Sequence, residues 1–246
     1  MLELRDICFD VPQEDGTAGK KEILQNISLK IEDHSFVVIT GPNGGGKSTL
    51  AKLIMGIEKP SSGQILFRGE DITACTITER AKLGIGFAFQ QPVRFKGLNV
   101  HDLLRLAAGR ELNCEEACTY LAEVGLCAND YINRELNSSL SGGELKRIEI
   151  AMVIARGTML SVFDEPEAGI DLWSFQNLIR AFERMRDTTK GSIVIISHQE
   201  RILDIANKIV VIADGRVAQT GGREQILPSL LCEDAPCAYH RKGALA

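Results

Sequence analysis

Apolar Ile27, Leu29 and Ile31 alternate with polar Ser28 and Lys30, the two-residue period of a strand with one face buried. The unbroken run Phe36-Val37-Val38-Ile39 predicts a strand covered on both faces. A helix is expected over 47–55 and short strands over 64–67 and 85–89, with Pro92 marking a change of texture. From 99 to 156 the period is almost only helical: Ala117, Tyr120, Leu121 and Val124 share one face, and Ile148, Ala151, Met152 and Ala155 another. Strand-like runs return at 159–163, 192–197 and 208–212, with a helix between the first two whose apolar stripe is Phe175, Leu178, Ile179 and Phe182. Strands alternating with helices predict a largely parallel α/β sheet, with the helical middle as a lobe. The segment 14–21, rich in Gly and charge, is expected to be a loose loop, and the last dozen residues to fray.

Composition narrows the class. The 246 residues are 44% hydrophobic and 25% charged, a globular balance that excludes a disordered, collagenous or membrane chain and fits one compact domain. Against 28 Lys and Arg stand 33 Asp and Glu, a net charge of −5, so there is no global basic field for nucleic acid. No apolar run approaches the roughly 20 residues of a membrane-spanning helix, so any membrane role is expected to come through a partner rather than by direct insertion. The start, Met1-Leu2-Glu3-Leu4-Arg5-Asp6, lacks the layout of a secretory signal, and a cytoplasmic location is expected. Seven scattered cysteines then fit reduced thiols better than a disulfide framework.

Chemistry enters at Gly41-Pro42-Asn43-Gly44-Gly45-Gly46-Lys47-Ser48, a Gly, four residues, then Gly-Lys-Ser, set between a predicted buried strand and a predicted helix. Glycines let successive N–H groups approach an anion, and the helix adds about half a positive charge at its amino end. Lys47 is placed to bridge β- and γ-phosphates, Ser48 to put its hydroxyl on magnesium, and Thr49 to make another phosphate contact. The bland alternative is a glycine-rich turn.

A second buried run ends in Asp164-Glu165, so a strand delivers two carboxylates at its carboxyl end, where ligands of open α/β sheets bind. Asp164 is the candidate for holding Mg2+ through water and Glu165 for polarising the attacking water. Alone, the pair reads equally as a solvated acidic turn; the upstream phosphate loop gives it meaning.

Leu140-Ser141-Gly142-Gly143-Glu144 opens an amphipathic helix running toward Arg156, with a capping hydroxyl and exposed N–H groups. With the phosphate loop and the acidic pair, it resembles the signature of ATP-binding-cassette (ABC) ATPases over roughly residues 1–225. The resemblance implies an α/β nucleotide-binding domain: a mostly parallel core sheet with an antiparallel β part (1–91 and 157–246) and an inserted helical subdomain (92–156). It implies Mg2+-dependent ATP hydrolysis, with Gln90 as the lid glutamine meeting magnesium and water, Gln91 being the neighbouring alternative. His198 matches the switch histidine at the γ-phosphate, and Ala168-Gly169-Ile170-Asp171 the loop that communicates between subunits. Such chains pair head to tail on binding ATP, so Ser141 and Gly143 are expected to contact the γ-phosphate held by Lys47 of the partner subunit, in a homodimer.

Within that family, three segments are similar to the ATPase of the Suf iron-sulfur cluster assembly system: 79–93 around the lid glutamine, Asp164-Glu165-Pro166-Glu167, and His198-Gln199-Glu200-Arg201-Ile202-Leu203. Transport subunits usually carry threonine at the position of Glu167. They also have a tyrosine near the start that stacks on adenine, where this chain has Val11, with Phe9 as a substitute in another register; a lost stack is worth about 0.5 to 1.5 kcal/mol. The implied partner is a soluble Suf-type scaffold protein, which the motor deforms without holding the cluster. The competing expectation is the ATP-binding subunit of a membrane transporter. A chromatin or repair ATPase fits less well, since no sustained heptad repeat or basic patch occurs.

Cys232, Cys237 and His240 are metal-ligand types without a fourth ligand nearby, and ordinary thiols explain them better. Cys114 and Cys118, four apart, are expected on a helix surface, while Met55 and Met152 need no role beyond packing. Trp173 follows the inter-subunit loop, where surface and core positions are equally open.

Overall fold

A computed structural model describes residues 1–12, 19–90, 95–136 and 140–233. Strands β1 (Leu2–Pro12), β2 (Lys20–Ile31), β4 (Ser62–Phe67) and β5 (Glu70–Asp71) form an antiparallel sheet in the order β2-β1-β4-β5. Strands β3 (Phe36–Thr40), β6 (Ile85–Ala88), β7 (Leu160–Asp164), β8 (Ser192–Ile196), β9 (Lys208–Ala213) and β10 (Arg216–Gly222) form a second sheet in the order β10-β9-β3-β8-β7-β6. Its strands from β9 to β6 are parallel, and β10 returns antiparallel on β9.

Side-chain alternation on β3 divides the core. Phe36 and Val38 join the apolar cluster of the helical side, while Val37 and Ile39 join a second cluster with Leu4, Ile27, Leu50 and Ile54. Helix α1 (Lys47–Met55) thus lies between the two sheets. On the other face pack α3 (Val100–Ala108), α4 (Cys114–Glu123), α5 (Ala128–Tyr131), α6 (Gly142–Arg156) and α7 (Leu172–Thr188). Leu103, Leu121 and Leu145 share one cluster with Phe163 and Ile195, so the helical middle is not packed around a core of its own. Asn99 with Asp102, Asn113 with Glu116, and Ser141 with Glu144 start α3, α4 and α6 with reciprocal capping boxes.

The structure differs from the pattern in instructive places. The period-two signal of β1 is broken by bulges: its register slips between Leu4 and Ile7, where Asp6 takes φ 49° and is held by the Ser28 hydroxyl. Lys20 and Lys21 belong to β2, paired with Pro12 and Val11, and not to a loop; residues 14–18 of that expected loop lie outside the described residues. Helix α6 is not amphipathic. It is buried on nearly every side, and Lys146 at 2% exposure and Arg147 at 8% are inside. Short α2 (Ile77–Lys82), α8 (Glu200–Asp204) and α9 (Arg223–Glu233) complete the chain.

Candidate nucleotide site

Four parallel strands bring their carboxyl ends to one edge: β3 leads into the 41–46 loop, β6 into Phe89-Gln90, β7 into Asp164-Glu165 and β8 into Ser197-His198. This is where open α/β sheets bind ligands.

The loop is shaped for an anion. Gly41 has φ 133°, and a Cβ there would lie 2.0 Å from the Ile212 carbonyl oxygen; Gly46 has φ 99°, with Leu24 at 2.5 Å from such an atom. Gly44, at φ 78°, faces open space. Helix α1 has Gly46 as its N-cap, with no side-chain cap and no acid in its first turn. Its first N–H groups and positive dipole end therefore stand uncompensated beside the loop, the arrangement that takes a phosphate. Pro42 and Asn43 form the exposed outer rim, Gly45 is buried, and Thr49 is half-buried in the first turn of α1.

Lys47, only 5% exposed, donates to the carbonyl oxygens of Gly41 at 2.8 Å and Pro42 at 2.9 Å. Burial pushes its ammonium pKa down, opposed by the nearby Glu165 and Asp164 carboxylates. Ser48 Oγ donates to Asp164 Oδ1 at 3.0 Å, joining α1 to β7. Burial pushes the Asp164 carboxyl up, the Ser48 bond opposes this, and neighbouring Glu165 adds to the rise. A hydroxyl and a buried carboxylate in contact are the hard oxygen donors that suit Mg2+. Ser48 and Asp164 would hold that ion, which when bound neutralises phosphate charge.

Gln90 Nε2 donates to Glu165 Oε2 at 2.7 Å. Glu165 carries φ 44°, in the left-handed region that a side chain rarely adopts. Its N–H is anchored on the Ile196 carbonyl at 3.0 Å. Strain of this kind is retained where neighbours fix it, commonly at sites of chemistry. Gln91 lies outside the described residues.

His198 is exposed and joins the cluster indirectly. Next to it, the Ser197 hydroxyl donates to Glu167 Oε1 and accepts from the Gln199 N–H at 3.0 Å. Glu167 Oε2 is buried without a hydrogen-bond partner among the described residues, and burial pushes this carboxyl up.

Ser141, Gly142 and Gly143 form a separate cluster. Ser141 Oγ accepts from the Glu144 N–H at 3.3 Å, while Glu144 Oε2 accepts from the Ser141 N–H at 2.6 Å and Glu144 Oε1 from the Tyr131 hydroxyl. A Cβ on Gly143 would lie 3.0 Å from Ser174 Oγ, and one on Gly142 3.3 Å from the Gly169 oxygen, so this turn packs tightly on the 169–174 segment. Trp173 in that segment is 78% exposed and Leu172 66%.

Sequence reading missed a buried pair beside the site. Lys146 Nζ donates to the Phe89 carbonyl oxygen and to Glu149 Oε2 at 3.3 Å, and Glu149 Oε1 accepts from the Phe89 N–H at 3.0 Å. The only prior signal was Lys and Glu three apart on a helix otherwise bound for the core. Cys8, Cys75, Cys114, Cys118 and Cys127 are free thiols; of the pair expected on a helix surface, Cys114 is exposed and Cys118 half-buried. Cys237 and His240 lie outside the described residues, as does the side chain of Cys232. Met55 is buried and Met152 half-buried against the core.

Comparison with known proteins shows the family. The family described as ABC transporter matches residues 24–168, spanning the phosphate loop, the signature turn and the acidic pair. An uncharacterized ABC transporter ATP-binding protein of Methanocaldococcus jannaschii is 39% identical over 217 residues, covering 85% of this chain and 86% of that protein. The probable ATP-dependent transporter ycf16 of Pyropia yezoensis is 33% identical over 241 residues, 90% of this chain and 91% of its own length. Among solved structures, a dimeric bacterial ABC transporter cassette superposes with a TM-score of 0.80 at 22% identity, covering 91% of this chain and 99% of that one, a likeness of fold. This chain therefore belongs to the ABC transporter family and is one of its ATP-binding cassettes.

Proposed function

We propose that the chain is the Mg2+-dependent ATP-hydrolysing motor of a Suf-type iron-sulfur cluster assembly complex, closing as a head-to-tail homodimer on ATP to deform a scaffold protein. In this reading Gly41 to Thr49 bind the phosphates, Ser48, Asp164 and Gln90 serve magnesium, Glu165 serves the attacking water, and His198, Ser141 and Gly143 serve the γ-phosphate, the roles the family resemblance implies. The observation that carries the choice of branch is Glu167. Transport cassettes usually place threonine there, whereas here a carboxylate binds Ser197 next to His198. An apolar groove of about 360 Å³, lined by Phe87, Phe89, Phe95, Leu98, Leu103 and Leu106 beside Gln90, offers the scaffold a seat.

The second reading, an ATP-binding subunit of a membrane transporter, is favoured by the names of the relatives, which describe transporter ATP-binding proteins. Native purification without detergent separates the two. Co-elution with a strand-rich protein carrying iron and sulfide supports cluster assembly. Recovery only from detergent-solubilised membranes, with a multi-span protein attached, replaces it with transport.

A further inference from the structure

Lys146 and Glu149 are costly where they stand. Lys146 is buried on α6 while Glu149, half-buried, lines the apolar groove beside it, and a charge pair largely removed from water is commonly less stable than apolar residues of the same volume. Their hydrogen bonds show what the pair does. Glu149 takes the Phe89 N–H and Lys146 the Phe89 carbonyl, so one peptide segment is gripped at both of its polar groups from a single helix. The next residue is Gln90, whose side chain lies on Glu165. Helix α6 itself is capped by Ser141, in the signature turn. Polar contacts from the signature helix to Phe89, the peptide chain from Phe89 to Gln90, and the Gln90 amide on Glu165 thus connect α6 to Glu165.

We propose that Lys146 and Glu149 are positioning residues that fix the Gln90 backbone, so that displacement of the signature turn is passed to the Gln90 and Glu165 side chains. This rests on the catalytic reading of Glu165 and Gln90 above. Phosphate binding belongs to the 41–49 segment, so the pair acts on turnover and not on ATP affinity. A buried ion pair suits this task better than an apolar contact, because hydrogen bonds specify the direction in which a peptide is held.

The test is a cycle of full-length proteins: wild type, Gln90→Ala, the double variant Lys146→Met with Glu149→Leu, and all three changes together. The paired replacement leaves no unpaired charge inside. We expect kcat to fall about tenfold in the double variant with KM for ATP within twofold of wild type, and no further fall when Gln90→Ala is already present. Amide exchange at Phe89 should speed up in the double variant while exchange in α1 is unchanged. A kcat within twofold of wild type, or the same tenfold loss on top of Gln90→Ala, overturns the proposal. Full turnover of Gln90→Ala alone overturns the catalytic reading of Gln90 as well, which tells the two failures apart. Should the double variant not fold, Lys146→Met alone, which keeps the Glu149 grip, is expected to show a smaller loss in kcat at unchanged KM, and no loss overturns the idea.

Discussion

The Ser48 hydroxyl donates to the Asp164 carboxylate across 3.0 Å, tying the first turn of α1 to the end of β7, two segments 116 residues apart. Asp164 is 6% exposed and its carboxyl is held above the usual range, chiefly by burial. Burial raises the carboxyl's affinity for protons, which compete with a cation for the same oxygens, so metal affinity should weaken as pH falls. Asp164→Asn keeps an acceptor for Ser48 and removes the charge. Its ATP turnover is expected to need at least about tenfold more Mg2+ for half-maximal rate, which a magnesium titration at fixed ATP measures; an unchanged titration moves the ion elsewhere.

Lys47→Ala tests the phosphate loop. The ammonium is already desolvated and held by the Gly41 and Pro42 carbonyls, so it meets a nucleotide with little reorganisation. Its loss should weaken ATP binding by about 2 kcal/mol or more, the scale of a charge-assisted bond. Calorimetric titration reads this directly, and unchanged affinity rules the role out.

Glu165→Gln keeps the shape of the side chain and removes its basicity. Turnover should fall by about 10² or more, the scale of general-base catalysis, with nucleotide binding retained and an ATP-bound dimer accumulating. Size-exclusion chromatography with ATP and a single-turnover assay check both halves. Near-normal hydrolysis moves the activation of water elsewhere, to His198 as base or to Gln90 as the group that orients it.

Arg80 is fully buried, and its five N–H donors meet five carbonyls: Cys75, Leu53, Ile54, Ile72 and Thr73, at 2.5 to 3.2 Å. Two of these acceptors belong to the last turn of α1, where a cation also complements the helix dipole. The guanidinium thus anchors the far end of the helix whose near end forms the phosphate loop. Arg80→Met would strand several carbonyls and cost about 3 kcal/mol. Arg80→Lys should recover only part, since three donors cannot serve five acceptors. Chemical denaturation of the three proteins gives the order.

The phosphate loop, the acidic pair and the central strands were legible because each is a local pattern: glycines at fixed spacing, a buried run closing on carboxylates, a period of two. Strand β1 was not, because the bulge at Asp6 breaks the alternation that marks a strand. Nor were the grips of Lys146 and Arg80, whose partners are backbone groups of remote segments, 57 and 27 residues away, and backbone carbonyls carry no sequence signature. Charge on a helix ordinarily signals a solvated face, and here folding enclosed it.

Glu167 carries the opposite balance to a salt-bridged acid. Burial pushes its carboxyl up, the Ser197 bond and the His198 charge oppose this, and Oε2 finds no partner among the described residues. Ionised Glu167 is therefore a cost to the fold. Below the unfolded carboxyl value, about 4.3, both states are protonated and the cost is absent. Between that value and the raised native one, the unfolded chain loses its proton first, so stability falls as pH rises, and above the native value the loss is constant. Glu167→Gln retains an acceptor for Ser197 and cannot ionise. It should be more stable than wild type at neutral pH, because the desolvated charge is gone while the second polar atom is unpaired in both proteins, with the gap closing toward pH 4. Such a cost is kept where a site needs the group, so the same substitution is expected to slow ATP turnover. Thermal melts of both proteins from pH 4 to 8, beside the hydrolysis rate, decide it: a variant that is less stable at every pH would show that the carboxylate supports the fold.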